Sequence, residues 1–284
     1  MKTSKRQRLR QMLKESTVYA PFVYDGITAL LAERSGCRAV YLTGFGTAAS
    51  HGLADVGLIT LTEISQRVRI IDRSCSLPVI ADADTGYGNY TNVMRTVREY
   101  EHAGVAALHL EDQVWPKRCG YMANKQVIDR TEAANKIKAA LDARVDEDMI
   151  IIARTDALAV SGWEEVEERA ASYLEAGADM VFVDGIKTLD DVEQYAKRLS
   201  NYSCVFNNVP NLPMAECDRF GTFPLVLNSG PMSKAWIAYE EEVGRFAKTG
   251  NVSAMDVGEY FRHLLDVLNV QHYFDIDQKY STEK

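Results

Sequence analysis

The chain has 284 residues, 46% of them hydrophobic and 25% charged, and its 40 acidic against 32 basic side chains leave a net charge of −8. That length suits one α/β barrel of roughly 250 residues as well as two smaller domains, and the acidic balance argues against nucleic-acid backbone binding, which needs clustered Lys and Arg. No apolar run approaches the roughly 20 residues that span a bilayer, no apolar h-region follows the basic N-terminus, and the five cysteines, with no CxxC pair, indicate neither a disulfide framework nor a zinc site; a cytoplasmic location without membrane or nucleic-acid partners is the default expectation.

Residues 1–16 are basic but carry Leu9, Met12 and Leu13 at helical spacing, which predicts a docking helix with a solvated face. Short β-branched apolar runs then alternate with longer amphipathic segments, the pattern of βα units around a parallel sheet. The predicted strands are Thr17–Phe22, Ala39–Thr43, Pro78–Ala83, Ala107–Glu111, Met149–Arg154, Met180–Asp184, Cys204–Val209 and Pro224–Leu227. The predicted helices between and after them are Gly26–Ser35, Leu61–Ser74, Thr91–Ala103, Thr131–Arg144, Trp163–Ala176, Leu189–Ser200, Met214–Phe220 and Met232–Thr249. Gly104 and Gly177 each end a helix just before a buried strand, as a C-terminal cap should. Eight units predict a closed (β/α)8 barrel in one domain over 1–284, preferred to an open doubly wound sheet because no Gly-x-Gly-x-x-Gly follows the first strand. The 250–284 extension, with a further amphipathic segment at Ala254–Leu268 and a polar tail, has no barrel position to fill and is expected to pack on a neighbouring subunit.

In such a barrel the chemistry sits at the C-terminal ends of the strands. Here those ends read Asp82-Ala-Asp84, Glu111-Asp112, Arg154-Thr-Asp156, Asp184, Asn207-Asn208 and Asn228-Ser229. Period-two alternation predicts that Asp82 and Asp84 point the same way, and with Glu111 they would repel unless a divalent cation compensates them. All-oxygen ligands favour Mg²⁺ or Mn²⁺. Asp55 is either a partner behind these ligands or a turn residue. The glycine-bearing run Tyr41-Leu-Thr43-Gly44-Phe45-Gly46 offers backbone N–H groups to a carboxylate or phosphate. Arg154 suits bidentate carboxylate binding, with an ion pair to Asp156 as the alternative. Lys117 and Arg118 immediately precede Cys119, an arrangement that favours thiolate, and Gly120 allows a tight turn. His51 follows the glycine-bearing run; His102, His109, His263 and His272 read as structural or surface residues, and Trp115 as either a lid contact or an exposed aromatic.

Together, Thr43-Gly44, Asp82-Ala-Asp84-Thr-Gly-Tyr-Gly88, Glu111-Asp-Gln113, Lys117-Arg-Cys-Gly120 and Arg154-Thr-Asp156 resemble the isocitrate lyase and phosphoenolpyruvate mutase superfamily over nearly the whole chain. The loop is most similar to that of its short members: 2-methylisocitrate lyases, 2,3-dimethylmalate lyases, oxaloacetate hydrolases and the petal death protein. The resemblance implies a barrel with a C-terminal helix exchanged in a dimer of dimers. It also implies Mg²⁺ held by Asp82 and Asp84, partly through water and supported by Asp55 and Glu111, with the substrate carboxylate received by Thr43, Gly44 and Phe45. By the same resemblance, Arg154 stabilises developing negative charge, and Cys119 on a mobile loop supplies a proton as a C–C bond beside a hydroxyl breaks.

The departures concern specificity. Tyr121 stands where the loop usually has His, Asp184 where methylisocitrate-type enzymes have Glu, and Asn208 is followed by Asn211 where they have Asn and then Glu; a register slip of one would put Asn207 in that role. These changes disfavour a tricarboxylate. Ser229 matches the serine of oxaloacetate hydrolases. The expectation is a Mg²⁺-dependent lyase for a small 2-hydroxy or 2-keto dicarboxylate. The alternatives are oxaloacetate hydrolysis, a carboxyphosphonoenolpyruvate-type phosphonomutase, and a non-catalytic dicarboxylate-binding barrel.

Overall fold

The computed structural model describes residues 3–120, 122–209 and 212–281. In chain order the elements are α1 (Lys5–Glu15), β1 (Val18–Val23), α2 (Gly26–Arg34), β2 (Val40–Leu42), α3 (Gly44–Ser50), α4 (Leu61–Ser74), β3 (Val79–Asp82), α5 (Tyr90–Ala103), β4 (Ala107–Glu111), α6 (Arg130–Ala143), β5 (Ile150–Thr155), α7 (Leu158–Ser161), α8 (Trp163–Glu175), β6 (Met180–Val183), α9 (Leu189–Arg198), β7 (Cys204–Asn207), α10 (Met214–Asp218), β8 (Leu225–Asn228), α11 (Gly230–Thr249), α12 (Val257–Val267) and α13 (Val270–Tyr280). The eight strands pair in sequence order, all parallel, and β8 returns to β1 to close the barrel. The fold is therefore the (β/α)8 barrel that the sequence predicts.

Local chemistry sets the boundaries. Capping boxes at Asp25, Thr60 and Asn89 start α2, α4 and α5 by satisfying backbone N–H groups that have no partner within the helix. Gly104 and Gly177 take φ of +103° and +105° after α5 and α8, as the C-cap reading requires. Three short or terminal helices were not predicted: α3, α7 and α13. The segment forming α3 read as a glycine-bearing loop, but Thr43 caps it by accepting from the Gly46 N–H at 3.2 Å.

Alternate strand residues face the barrel interior, and those inward positions fix what reaches the mouth. Tyr41, Ile80, Ala107, Ile152, Phe182, Val205 and Leu227 fill the interior, whereas Leu42, Ala81, Leu108 and Val181 pack against the helices. The N-terminal helix α1 plugs the opposite end: Leu9 and Met12 join the interior cluster. Its basic residues meet acidic partners on the barrel, with Lys5 on Asp72, Arg6 on Asp146 and Arg10 on Asp179. Leu9 is 0% exposed, so Leu9→Ala is expected to destabilise the fold by about 2–5 kcal/mol, read as a lower denaturant midpoint with an unchanged m-value.

No described helix is long and apolar enough to cross a membrane. The helices α11, α12 and α13 leave Ile237, Phe246, Phe261 and Phe274 exposed, and α12 touches the barrel through an Arg34–Asp266 ion pair and a buried Val267.

Candidate active site

At the C-terminal ends of the strands lies a cavity of about 440 Å³. Of the residues proposed from sequence, Tyr41, Thr43, Phe45, Asp55, Asp82, Lys117, Cys119, Gly120, Arg154, Asp184 and Ser229 line it. Asn207 lines it too, whereas Asn208 turns away, its amide donating to the Leu212 carbonyl at 3.2 Å. Val205 is an inward position, so alternation brings Asn207 inward and sends Asn208 to the helix layer, the placement that the slipped register gives. Tyr121 and Asn211 lie outside the described residues.

Asp82 ends β3, but Asp84 lies beyond it with φ of +45° in a left-handed turn that Asp tolerates, so strand alternation is not what aligns them. They nevertheless converge. A Cβ on Gly44 would lie 2.7 Å from Asp82 Oδ2 and 3.4 Å from Asp84 Oδ1, which also explains why this position has no side chain. The Gly44 N–H donates to Asp82 Oδ2 at 3.2 Å and the Asp84 N–H to Asp82 Oδ1 at 3.0 Å. The Gly44 N–H thus donates to the acidic cluster.

Lys117, 4% exposed, reaches over the cluster and bridges Asp55 and Asp84, the latter at 2.9 Å. Burial disfavours its charge, but Asp84, Glu111, Asp82 and Asp55 together hold it firmly protonated. Its ammonium therefore serves the carboxylates that the sequence reading assigned to a cation alone. Arg118 is exposed and does not line the cavity, contrary to its assignment to the site; its backbone is held at both ends by the Gln113 side chain, which accepts from its N–H at 2.9 Å and donates to its carbonyl at 2.8 Å. The Cys119 N–H donates to the Asp55 carbonyl at 3.1 Å. Trp115 lies against Gly57, whose added Cβ would meet the ring at 3.0 Å, so it is a contact of this loop with the one after β2.

The second charged centre is Arg154. Its Nε and Nη2 pair with the two oxygens of Asp156 at 3.0 and 3.1 Å, Nη2 also faces Asp184 at 3.3 Å, and Nη1 faces Glu111 at 3.3 Å. Lys125, which the sequence reading passed over, bridges Asp156 at 2.7 Å and Asp184 at 2.8 Å. Beneath both centres the ring of His109 packs inside the barrel, paired with the Tyr41 hydroxyl at 2.8 Å and 3.7 Å from Asp82. Burial pushes His109 down to about 4, so it is neutral at pH 7. Its position two residues before Glu111 on β4 was a usable signal that it faces the same interior. His51, by contrast, is exposed and its Nδ1 sits 2.9 Å from the Thr47 carbonyl.

The carboxylates differ in character. Burial opposes charge on Asp82, yet His109, Lys117 and Arg154 outweigh it and hold the carboxyl at about 2. Asp84 is pushed up to about 6, chiefly by burial. Burial also raises Glu111 well above the usual range. Both Glu111 oxygens are buried without hydrogen-bond partners, with Oε2 facing Arg154 at 3.3 Å, and Asp84 Oδ1 pairs with the Lys117 ammonium at 2.9 Å; all are hard oxygen atoms of the kind a small divalent cation takes. Among the described residues, however, no three His, Cys, Asp or Glu side chains form a cage. The expected four-carboxylate convergence is interrupted by Lys117 and Arg154, which leaves Asp82 and Asp84 as the pair that could hold a cation.

Residues 9–247 match the family described as phosphoenolpyruvate phosphomutase. The chain is 38% identical to the 2,3-dimethylmalate lyase of Eubacterium barkeri over 285 residues, covering 97% of this chain and 98% of that protein. Among solved structures, oxaloacetate acetylhydrolase in complex with the inhibitor 3,3-difluorooxalacetate superposes with a TM-score of 0.91 at 32% identity, covering 98% of this chain and 97% of that one. Phosphonopyruvate hydrolase in complex with oxalate and Mg²⁺ superposes with a TM-score of 0.88 at 28% identity, covering 98% and 99%.

Proposed function

The chain belongs to the phosphoenolpyruvate mutase/isocitrate lyase superfamily and is an enzyme related to its carbon–carbon lyases, and on that premise we propose that it cleaves a small 2-hydroxy or 2-keto dicarboxylate with the help of Mg²⁺. The observation that carries this reading is that one cavity is lined both by Cys119, on a loop, and by Asp82, whose carboxylate converges with that of Asp84. Asp82 and Asp84 would hold Mg²⁺, or Mn²⁺ in its place; when bound, the ion supplies Lewis-acid stabilisation of negative charge on substrate oxygen.

The chain's own residues do the rest. Thr43 and the backbone at Phe45 bound the side of the cavity where the carboxylate end of the substrate would enter. Arg154, clamped by Asp156, keeps a fixed positive charge beside the bond that breaks, and a preorganised charge costs no rearrangement at that moment. As the C–C bond breaks, the substrate hydroxyl gives its proton to a carboxylate at the mouth and its O–H electron pair becomes the new C=O bond. The C–C pair passes to the α-carbon of the departing carboxylate fragment, and the Cys119 S–H gives that carbon its proton, leaving a thiolate that is reprotonated before the next turnover. Lys117, fixed by Asp55 and Asp84, ties the loop over the cavity, where closure excludes water.

Ser229 supports a second reading. It lines the cavity at the end of β8, where a hydroxyl can hold one oxygen of a hydrated ketone, as hydrolysis of oxaloacetate to oxalate and acetate requires. Incubating the protein with a dicarboxylate panel and Mg²⁺ separates the two: keto-acid release from a 2-hydroxy substrate supports the lyase, and oxalate from oxaloacetate alone supports the hydrolase. Turnover of phosphonates alone would support the mutase, and binding without turnover of any substrate a non-catalytic barrel. Because Asp84 takes up a proton near pH 6 and only its ionised form ligates a cation, Mg²⁺ affinity is expected to fall about tenfold between pH 7 and 5 and to be flat above 7; titration calorimetry at each pH measures it.

The apolar residues left exposed on α11, α12 and α13 support a dimer of dimers in which a second copy covers them, which light scattering tests. A cytoplasmic location remains part of the same proposal.

A further inference from the structure

Asp184 takes its place in the sequence reading as a substrate ligand, yet its surroundings are those of a docking seat. Its Oδ2 accepts from the Lys125 ammonium at 2.8 Å and its Oδ1 faces Arg154 at 3.3 Å, so both oxygens are already engaged by cations of the protein. Gly120 lies flush on the same carboxylate: a Cβ there would come within 2.4 Å of Asp184 Oδ2 and 2.8 Å of its Cγ. The carboxylate cannot yield easily, because two cations clamp it. Lys125 in turn is 7% exposed and shares its ammonium with Asp156, the residue that grips Arg154.

These contacts lie on the C-terminal side of Cys119 within the loop that carries it. At the base the loop is pinched by the antiparallel bridge between Gln113 and Val127 and by the Val114 N–H donating to the Gln126 carbonyl at 2.9 Å. On the β2 side it is tied by Lys117 to Asp55 and Asp84. Lys125 and the flush contact of Gly120 both hold the loop to Asp184 on the β5–β6 side of the mouth. A buried ammonium shared by two carboxylates is a charge-assisted tie that water cannot replace while the loop is shut.

We propose that Lys125 is a positioning residue that latches the Cys119 loop onto the barrel through Asp156 and Asp184, with Gly120 as the close contact the latch requires. The latch connects the loop to Arg154 through shared carboxylates, so closure and the orientation of the guanidinium are set together. Asp184 acts on the substrate only through these neighbours, and its shorter side chain, compared with glutamate, suits a seat drawn close to the strand end. This assignment rests on the reading of Cys119 as the proton donor for its meaning in catalysis, but its test does not require turnover.

The test is the rate at which iodoacetamide alkylates Cys119, followed by mass spectrometry of the Cys119 peptide in the full chain, with the Cys37 peptide as an internal reference. Lys125→Met is expected to raise the Cys119 rate tenfold or more while leaving the Cys37 rate unchanged. Gly120→Ala, which removes no charge, is expected to raise it as well, and Lys125→Arg to stay within about threefold of wild type because it keeps a buried cation. An unchanged Cys119 rate in Lys125→Met, an equal rise at Cys37, or a Lys125→Arg rate matching that of Lys125→Met would each overturn the latch. If alkylation rises as expected and no dicarboxylate is turned over by wild type, the latch stands and the lyase reading falls.

Discussion

Cys119→Ala is expected to lower product release from the dicarboxylate substrate by about 10²–10⁴-fold, the range that a positioned proton donor contributes. KM should change little, because the thiol acts on the carbon only as the bond breaks and not in the ground state. The fold should be untouched: Cys119 is half-buried on a loop, its backbone N–H donates to Asp55 whatever side chain follows, and Lys117 keeps its own pairing. Cys119→Ser is the sharper variant, since it keeps size and a hydroxyl proton but donates that proton far less readily. Steady-state kinetics with Mg²⁺, alongside a thermal melt, separates the outcomes. A variant that turns over within a few-fold of wild type would remove Cys119 from the chemistry and leave the cavity as a binding site.

The second large effect is at Arg154, and it should strike stability and activity together. Three carboxylates, Asp156, Asp184 and Glu111, face one guanidinium at 3.0 to 3.3 Å, and all four groups are buried. Arg154→Met leaves Asp156 and Asp184 tied to Lys125 and takes away the cation that faces Glu111, and removing one member of a buried ion cluster costs about 3–5 kcal/mol. Turnover should drop by at least two orders of magnitude because the fixed charge at the breaking bond is gone. Arg154→Lys tests the geometry: an ammonium is a point charge and cannot span Asp156 in bidentate fashion while facing Glu111. Activity in Arg154→Lys near that of wild type would show that charge suffices and that the fork arrangement is incidental. Stability equal to wild type in Arg154→Met would contradict the ion cluster itself.

The sequence carries much of this arrangement because barrel geometry turns strand parity into position. Once eight strands are read, inward positions at their C-terminal ends follow by counting in twos, and Asp82, Glu111, Arg154 and Asp184 fall at the mouth. The same counting, applied to β7 from Val205, selects Asn207 over Asn208 and, applied to β4, turns His109 inward beneath Glu111. Motifs alone left Asn207 and Asn208 as alternatives and His109 as a structural or surface residue; parity decides both. Asp84 is a different case: it faces the site through a left-handed turn beyond the strand, so the right answer came by the wrong route.

What the sequence by itself determined is the set of groups that the barrel brings to one mouth, because hydrophobic alternation and caps are local properties of the chain. It determined equally that the basic N-terminus is a docking helix, since Leu9 and Met12 recur at helical spacing. Only the tertiary structure decided which cation serves which carboxylate. Lys117 and Arg118 are adjacent in the chain, yet one is buried among Asp55 and Asp84 and the other is exposed. Lys125, 59 residues from Asp184 in the chain, shares a buried ammonium with it. Ion pairing depends on distances of a few ångströms between distant segments and on the exclusion of water around them, and neither quantity is written in local sequence.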